Sequence, residues 1–419
     1  MPVLRMQENE MLKLFGPMSL TVISGEVEIL NKKFKENSKI VIHRLRSYVM
    51  RSLASSELEV NMAAEAQIQQ VEENEPYLEW LSVANSIAKG KVDKIVVLGG
   101  VDSGKSTFTV LLANTFVEKG FKPAVIDSDV GQADIGPPGF ISMAFPEEQV
   151  IWMREYRPVL MRFIGDIKPQ MHVEGVVHIV ADMARRAIES GKKPVIIDTD
   201  GWIGDEHGIN YKFKLVEELK PDTIVVLGSS LHGLFRRYQK LGAKIYELRS
   251  PHVKRTRSRE ERRMLRRDRY REYLESGKVV KVKLGDTIIT GSPIFHGIEL
   301  EIPSSLSPDM ADKVLYITRT RDTLYLVVKN PISSEQLEII KKICGASRLK
   351  TYLRGFERRL YVAISNGEEE YPALIEKIDY DKREIHIRTR HIIDIKLIKV
   401  SSIRLTEDYT EQFNTISPQ

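Results

Sequence analysis

Gly99, Gly104, Lys105 and Ser106 fall at the spacing G-x-x-x-x-G-K-[ST] within "VVLGGVDSGKSTFTVLLANTF". Each residue type has a chemical reason. Glycines let backbone N–H groups close around phosphate oxygens with no Cβ in the way. The positive end of the following helix faces the anion. Lys105 can reach the β- and γ-phosphates, and Ser106 can offer its hydroxyl to Mg²⁺. The candidate nucleotide-binding set is therefore Gly99, Gly100, Val101, Asp102, Ser103, Gly104, Lys105, Ser106 and Thr107. The acceptor of the phosphate is not specified by this loop.

Two acid-bearing segments follow. In "PAVIDSDVGQADIGPPGF", Asp127 and Asp129 fall at the carboxyl end of an apolar run, where open α/β sheets place their ligands. Alternation along a strand sends the two acids to one side and Ser128 to the other, so one acid can face Mg²⁺ or an attacking hydroxyl. A solvated strand end with a polar turn is the plain alternative. In "PVIIDTDGWIGDEHG", four apolar residues precede Asp198, the pattern of a Walker B strand. Trp202 lies just past that strand, where a tryptophan either closes the core or stacks on a nucleobase.

The segment 252–274, "HVKRTRSREERRMLRRDRYREYL", is dense in arginine. A solvated helix with acid–base pairs explains part of it. The surplus of positive charge attracts phosphate, and a segment closing over the phosphate loop is a lid. The histidines show no H-E-x-x-H spacing, and no G-x-S-x-G nucleophile turn occurs. Mg²⁺ accompanying the nucleotide is the one metal expected.

The elements that position these residues read as α/β. "KIVVLGG", "KPAVIDSD", "KPVIIDTDG" and "DTIVVLGS" alternate with helical stretches, which predicts a parallel, doubly wound sheet. β-rich stretches flank it on both sides. The expected domains are a β-rich 1–75, a P-loop domain over 76–296 that carries the arginine-rich lid, and a β-rich 297–419. "PYLEWLSVANSIAKGK" reads as an amphipathic helix with Leu78, Leu81 and Ile87 on one side and Pro76 in its first turn. "DYDK" between alternating runs signals a hairpin.

The chain has 419 residues, with 63 Lys+Arg against 58 Asp+Glu, so it is only mildly basic, and the distribution of charge says more than its sum. One cysteine, Cys344, rules out a disulfide framework within the chain and fits a reducing, intracellular setting. The expected location is cytoplasmic, or nuclear in a eukaryote. No apolar run reaches transmembrane length, so no membrane partner is expected.

In order, "GGVDSGKST", "DSDVGQ", "DTDGW" and "RSREER" resemble the polynucleotide 5′-hydroxyl kinase family. That family includes the RNA kinase subunit of the mRNA cleavage machinery, the nucleolar rRNA-processing kinase and archaeal relatives. The flanks are similar too: "GPMSLTVISGEVEIL" looks like its N-terminal β-sandwich, and the C-terminal strands look like its small β-domain. The resemblance implies transfer of the γ-phosphate of ATP to the 5′-OH end of RNA, or also DNA, with RNA-processing proteins as further partners. It implies catalytic roles for Lys105, Asp129, Arg257 and Arg262, metal contacts from Ser106 and Asp129, and substrate contacts from Gln132 and Trp202. The last of these is the tryptophan that clasps the terminal base. One segment departs: Ile167 and Lys168 stand where many relatives have hydroxyl residues touching the RNA end.

Two other function classes fit parts of the pattern. One is a non-catalytic ATP-binding scaffold, which has no use for Arg257 and Arg262. The other is a small-molecule kinase or GTPase, which the absence of N-K-x-D and the basic lid disfavour.

Overall fold

The computed structural model describes residues 2–251 and 256–413, so His252 to Arg255 of the expected lid lie outside the described residues. The chain divides into two compact units. The first holds residues 1–136, 141–160 and 168–262; the second holds 137–140, 161–167 and 263–419. Among the described residues no helix is long and apolar enough to cross a membrane.

The first unit opens with two antiparallel sheets. Met18–Ser24 and Ser56–Met62 alternate buried and less buried residues, the period of a half-buried strand, and pair with each other in a four-stranded sheet. Met11–Phe15 and Ser47–Ser52 pair in a five-stranded sheet. Leu14, Leu20, Val22, Ile29, Ile42, Met50 and Leu58 are fully buried in one cluster, which makes the pair of sheets a sandwich. Burying each such side chain is worth roughly 1.5–3 kcal/mol.

The helix Tyr77–Ala88 follows. Its buried residues are Tyr77, Trp80, Ala84, Ile87 and Ala88, whereas Leu78 is exposed. Ile87 is buried and Leu81 packs against the same core, as expected, and Trp80 fills the space beside the phosphate loop. Pro76 sits at the N-cap rather than inside the first turn.

Next comes a seven-stranded sheet in the order Pro158–Phe163, Phe140–Ala144, Ala124–Asp127, Val195–Asp198, Lys94–Gly99, Thr223–Leu227, Lys244–Leu248. The last five are mutually parallel, and Phe140–Ala144 runs antiparallel on the edge of Ala124–Asp127. Ile95 to Leu98, Ile196, Ile197 and Ile224 to Val226 are fully buried, as expected of strands covered on both faces. After Lys94–Gly99 the next strand goes to one side and a later one to the other, so the phosphate-loop strand is the switch point of the sheet.

The second unit contains two sheets. Lys278–Lys283, Glu384–Thr389, Glu370–Asp379, Leu360–Ser365, Leu397–Leu405 and Ile288–Thr290 lie side by side in one of them. Lys278–Lys283 and Ile288–Thr290 fall within the stretch 76–296, yet their hydrogen bonds are to Glu384–Thr389 and Leu397–Leu405. The expected hairpin is present, with Asp379 opposite Glu384. The other sheet joins Ile298–Glu299, Val314–Thr320, Thr323–Val328 and Arg348–Leu353. The arginine-rich helix spans Arg259–Leu274. In the second unit its Tyr270 and Leu274 are fully buried with Phe140, Phe163 and Tyr361, and Arg266 makes a bidentate pair with Glu411 at 2.7 and 2.8 Å. This end of the helix is anchored, not solvated.

Candidate active site

The phosphate loop is set by its two flanking elements. Gly104 ends the loop at φ +100°, and a Cβ there would lie 2.5 Å from Trp80 Cη2, so only glycine fits. Helix Lys105–Glu118 begins at once and is buried almost continuously from Phe108 to Phe116. The loop is thereby fixed from behind, and the first amides of the helix are left without intrahelical partners. Lys105 is largely buried, and its Nζ donates to Gly100 O at 2.6 Å. Ser106 Oγ donates to Asp198 Oδ2 at 2.7 Å, and Thr109 Oγ1 to Asp198 Oδ1 at 3.3 Å. The parallel register sets Asp198 opposite Val97, one strand over from the loop. A hydroxyl on the phosphate-loop helix and a buried carboxylate on the next strand suit a cation that takes its remaining ligands from phosphate and water. Among the described residues no three His, Cys, Asp or Glu side chains converge as a metal cage.

The acids at the strand ends divide the work. Asp127 Oδ2 accepts from Asp134 N at 2.6 Å and Ile135 N at 3.0 Å, so it clamps the returning loop. Asp129 lies beyond the strand and accepts from Gly131 N and Gln132 N at 3.0 and 2.8 Å. The strand ends at Asp127, and Asp129 N donates to Asp127 Oδ1 at 3.2 Å as the chain turns. Gln132 Nε2 donates to Gly131 O.

Burial, then the neighbouring Asp198, pushes Asp127 well above the carboxylate range. Burial, then Asp200, raises Asp129. Burial raises Asp198 to about 7 against the opposing pull of Lys105 and Ser106. The folded chain therefore holds protons that the unfolded chain releases. That stabilisation is complete in acid and is lost as pH rises from about 4 to about 7. The melting temperature of the metal-free protein should fall between about pH 4 and about pH 7, and Mg²⁺ should raise it more at the higher pH. A flat profile with equal Mg²⁺ effects would contradict this arrangement. Asp134 stays outside that window. Burial alone would raise it, but Arg46 and Arg154 hold it far below.

Trp202 is partly buried and held at several points. Its N donates to Asp200 Oδ1 at 2.9 Å, and its Nε1 to Asp205 Oδ2 at 2.9 Å. Its ring stacks on Tyr211 at 6.0 Å between centroids. Asp205 also caps helix Glu206–Leu219 through Gly208 N. Gly208 is required, since a Cβ would lie 2.7 Å from Trp202 O. Behind this, Lys212 is fully buried and its Nζ lies 2.8 Å from Asp200 Oδ2 and 4.2 Å from the Tyr211 ring centre. Burial lowers the pKa of Lys212, and Asp200 opposes that. Lys212→Met leaves Asp200 buried without its counter-charge and should cost about 3–5 kcal/mol in a denaturant melt, with most of it recovered by adding Asp200→Asn. Single and double variants of equal stability would contradict the pairing.

The lid segment meets the phosphate loop through Asp102, which adopts φ +54°. Asp102 Oδ2 accepts from Arg257 N at 3.3 Å and from Arg262 Nη2 at 3.0 Å. Ser258 and Glu261 form a reciprocal capping box, at 3.1 and 2.8 Å, that starts the helix. Burial, then Arg46, lowers the pKa of Arg257, opposed by Asp134 and Asp102. Arg46 Nη2 donates to both Asp134 oxygens at 2.6 and 2.8 Å, and Trp152 Nε1 and Arg154 Nε donate to Asp134 Oδ1 at 3.2 and 3.3 Å. Arg46, Asp134, Arg154 and Lys212 carried no motif in the sequence, whereas the apolar run before Asp198 did. Lys168 is exposed, and Ile167 packs against Phe140 and Phe163 in the second unit.

Residues 99–276 match the family model for the mRNA cleavage and polyadenylation factor CLP1 P-loop. The chain is 31% identical over 329 residues to the polyribonucleotide 5′-hydroxyl-kinase of Pyrococcus furiosus, covering 76% of this chain and 89% of that one. It is 32% identical over 343 residues to the like-named protein of Thermococcus kodakarensis, covering 79% and 93%. Among solved structures, Clp1p in its complex with Pcf11p superposes with a TM-score of 0.64 over 96% of this chain and 98% of that one, at 14% identity.

Proposed function

The chain belongs to the polynucleotide 5′-hydroxyl kinase family, and on that premise we propose that it transfers the γ-phosphate of ATP to the 5′-hydroxyl end of RNA. The observation that most supports this is the meeting at one strand-end face of Lys105, the Ser106–Asp198 pair and, through Asp102, the lid arginines. The bond from O5′ to Pγ forms as the bond from Pγ to the β,γ-bridging oxygen breaks, and ADP leaves. Lys105 holds the β- and γ-phosphates. Asp129 orients the 5′-hydroxyl and takes its proton, and Gln132 steadies the turn that carries Asp129. Arg257 and Arg262 offset the charge spread over the transferring group. Ser106, Asp198 and Asp129 are the groups that would hold Mg²⁺. Mg²⁺, when bound, neutralises charge on the β- and γ-oxygens.

Trp202 clasps the terminal base on the ring surface that Tyr211 leaves open. Trp202→Ala should raise the apparent KM for RNA roughly 5- to 150-fold, the worth of one stacked base, with little change in KM for ATP. An unchanged RNA KM with a lowered melting temperature would return Trp202 to a packing role. DNA with a free 5′-hydroxyl is a second candidate acceptor, RNA-processing proteins are candidate partners, and the setting is intracellular, where both substrates occur.

The activity is tested by following ADP release with RNA of one sequence ending either in a 5′-hydroxyl or in a 5′-phosphate. Release that depends on the 5′-hydroxyl supports transfer to that group. Equal release with both, or with neither, would overturn it.

A further inference from the structure

The second unit contains an open cleft of about 570 Å³ between the turn that follows Arg348–Leu353 and the strands Glu370–Asp379 and Glu384–Thr389. Arg354, Arg358 and Lys377 line it, all three exposed, and none has a side-chain hydrogen bond or ion pair among the described residues. The acids of the lining do not balance them. Glu357 is buried, and its carboxylate accepts from Gly355 N at 3.1 Å and Ile378 N at 3.2 Å. That pins the arginine-bearing turn to the neighbouring strand. Glu376 is taken by Arg388, which also donates to Gly277 O. His386 lines the cleft as well. Its Nε2 is buried without a hydrogen-bond partner, and Glu384 stands off at 3.8 Å.

A fixed turn carrying two unpaired guanidinium groups, with an unpaired ammonium on the neighbouring strand, is built for an anion with several oxygens. The volume suits a nucleotide-sized group. Val279 is one of few apolar side chains in the wall, so the cleft offers no base pocket and no anchor for the aromatic side chains by which peptides usually bind. Arginine forks match phosphodiester oxygens.

We propose that this cleft is a binding site for the sugar–phosphate backbone of RNA, separate from the kinase site and indifferent to sequence. The choice of RNA over another polyanion rests on the kinase reading. The site itself rests on the unpaired cations.

The test uses the full chain and a labelled single-stranded RNA of about 20 nucleotides, longer than one binding site. In Arg354→Glu/Arg358→Glu, RNA affinity measured by fluorescence anisotropy should fall about 10-fold or more for every sequence. The slope of log K against log salt should shrink by about 1.4, two contacts at about 0.7 each. Turnover on an acceptor of about 3 nucleotides, too short to span a single-strand site, should be unchanged. Should the double reversal fail to fold, Lys377→Gln alone should shrink the slope by about 0.7. Unchanged affinity and slope would overturn the proposal. So would intact RNA binding with loss of binding to poly-glutamate, which would make the cleft a site for an acidic protein segment. A wild-type protein that binds RNA through the cleft but phosphorylates none would sink the kinase reading and leave the cleft standing.

Discussion

Arg262→Ala lowers kcat by about 10³-fold or more while the affinity for ATP changes little. The expectation follows from where Arg262 sits and what holds it there. Its Nη2 reaches Asp102 in the phosphate loop at 3.0 Å, and its helix starts one turn earlier at the Ser258–Glu261 capping box. The guanidinium is therefore held beside the loop by one carboxylate on a strained turn residue. Charge builds on the transferring phosphoryl group only as the bond to ADP loosens, so the arginine acts mainly in the transition state. Arg262→Lys should recover little, because an ammonium lacks the planar fork that meets two oxygens together. Equal losses in kcat and ATP affinity would mean that Arg262 serves ground-state binding instead.

Lys105→Ala abolishes transfer, with a loss of about 10³-fold or more in kcat/KM and weaker ATP binding. Lys105 differs from Arg262 in position. It opens the buried helix Lys105–Glu118 and its ammonium sits inside the loop on Gly100 O. It meets the phosphates in the ground state as well as the transition state, so both parameters should fall. The lysine is not part of the apolar packing of Phe108 to Phe116, so the variant should melt within a few degrees of wild type. Full activity in this variant would contradict the phosphate-loop assignment.

Legibility in the sequence followed the range of each interaction. The phosphate loop, the four apolar strands and the hairpin at Asp379–Glu384 depend on residues within a few positions of each other, and each was readable. Trp202 was readable as a residue but not as a role, because its grip comes from Asp200, Asp205 and Tyr211 together. The ion pair of Lys212 with Asp200 joins a helix to a strand end, and that of Arg46 with Asp134 joins residues 88 apart in the chain. No local pattern announces either pair. Periodicity also put Leu78 on the buried face of its helix, where the protein uses Trp80, which packs on Phe108 and beside Gly104. The strands Lys278–Lys283 and Ile288–Thr290 read as an extension of the central domain by position alone, and only their long-range pairing assigns them elsewhere.

The most direct test of the account is label transfer from γ-labelled ATP to a short RNA with a free 5′-hydroxyl, wild type beside Asp129→Asn. The account predicts label on the 5′ terminus with wild type and a loss of about 10²-fold or more in the variant, since the amide can neither orient nor deprotonate the acceptor as the carboxylate does. ATP bound by wild type with no label on RNA, or undiminished transfer by Asp129→Asn, would contradict it.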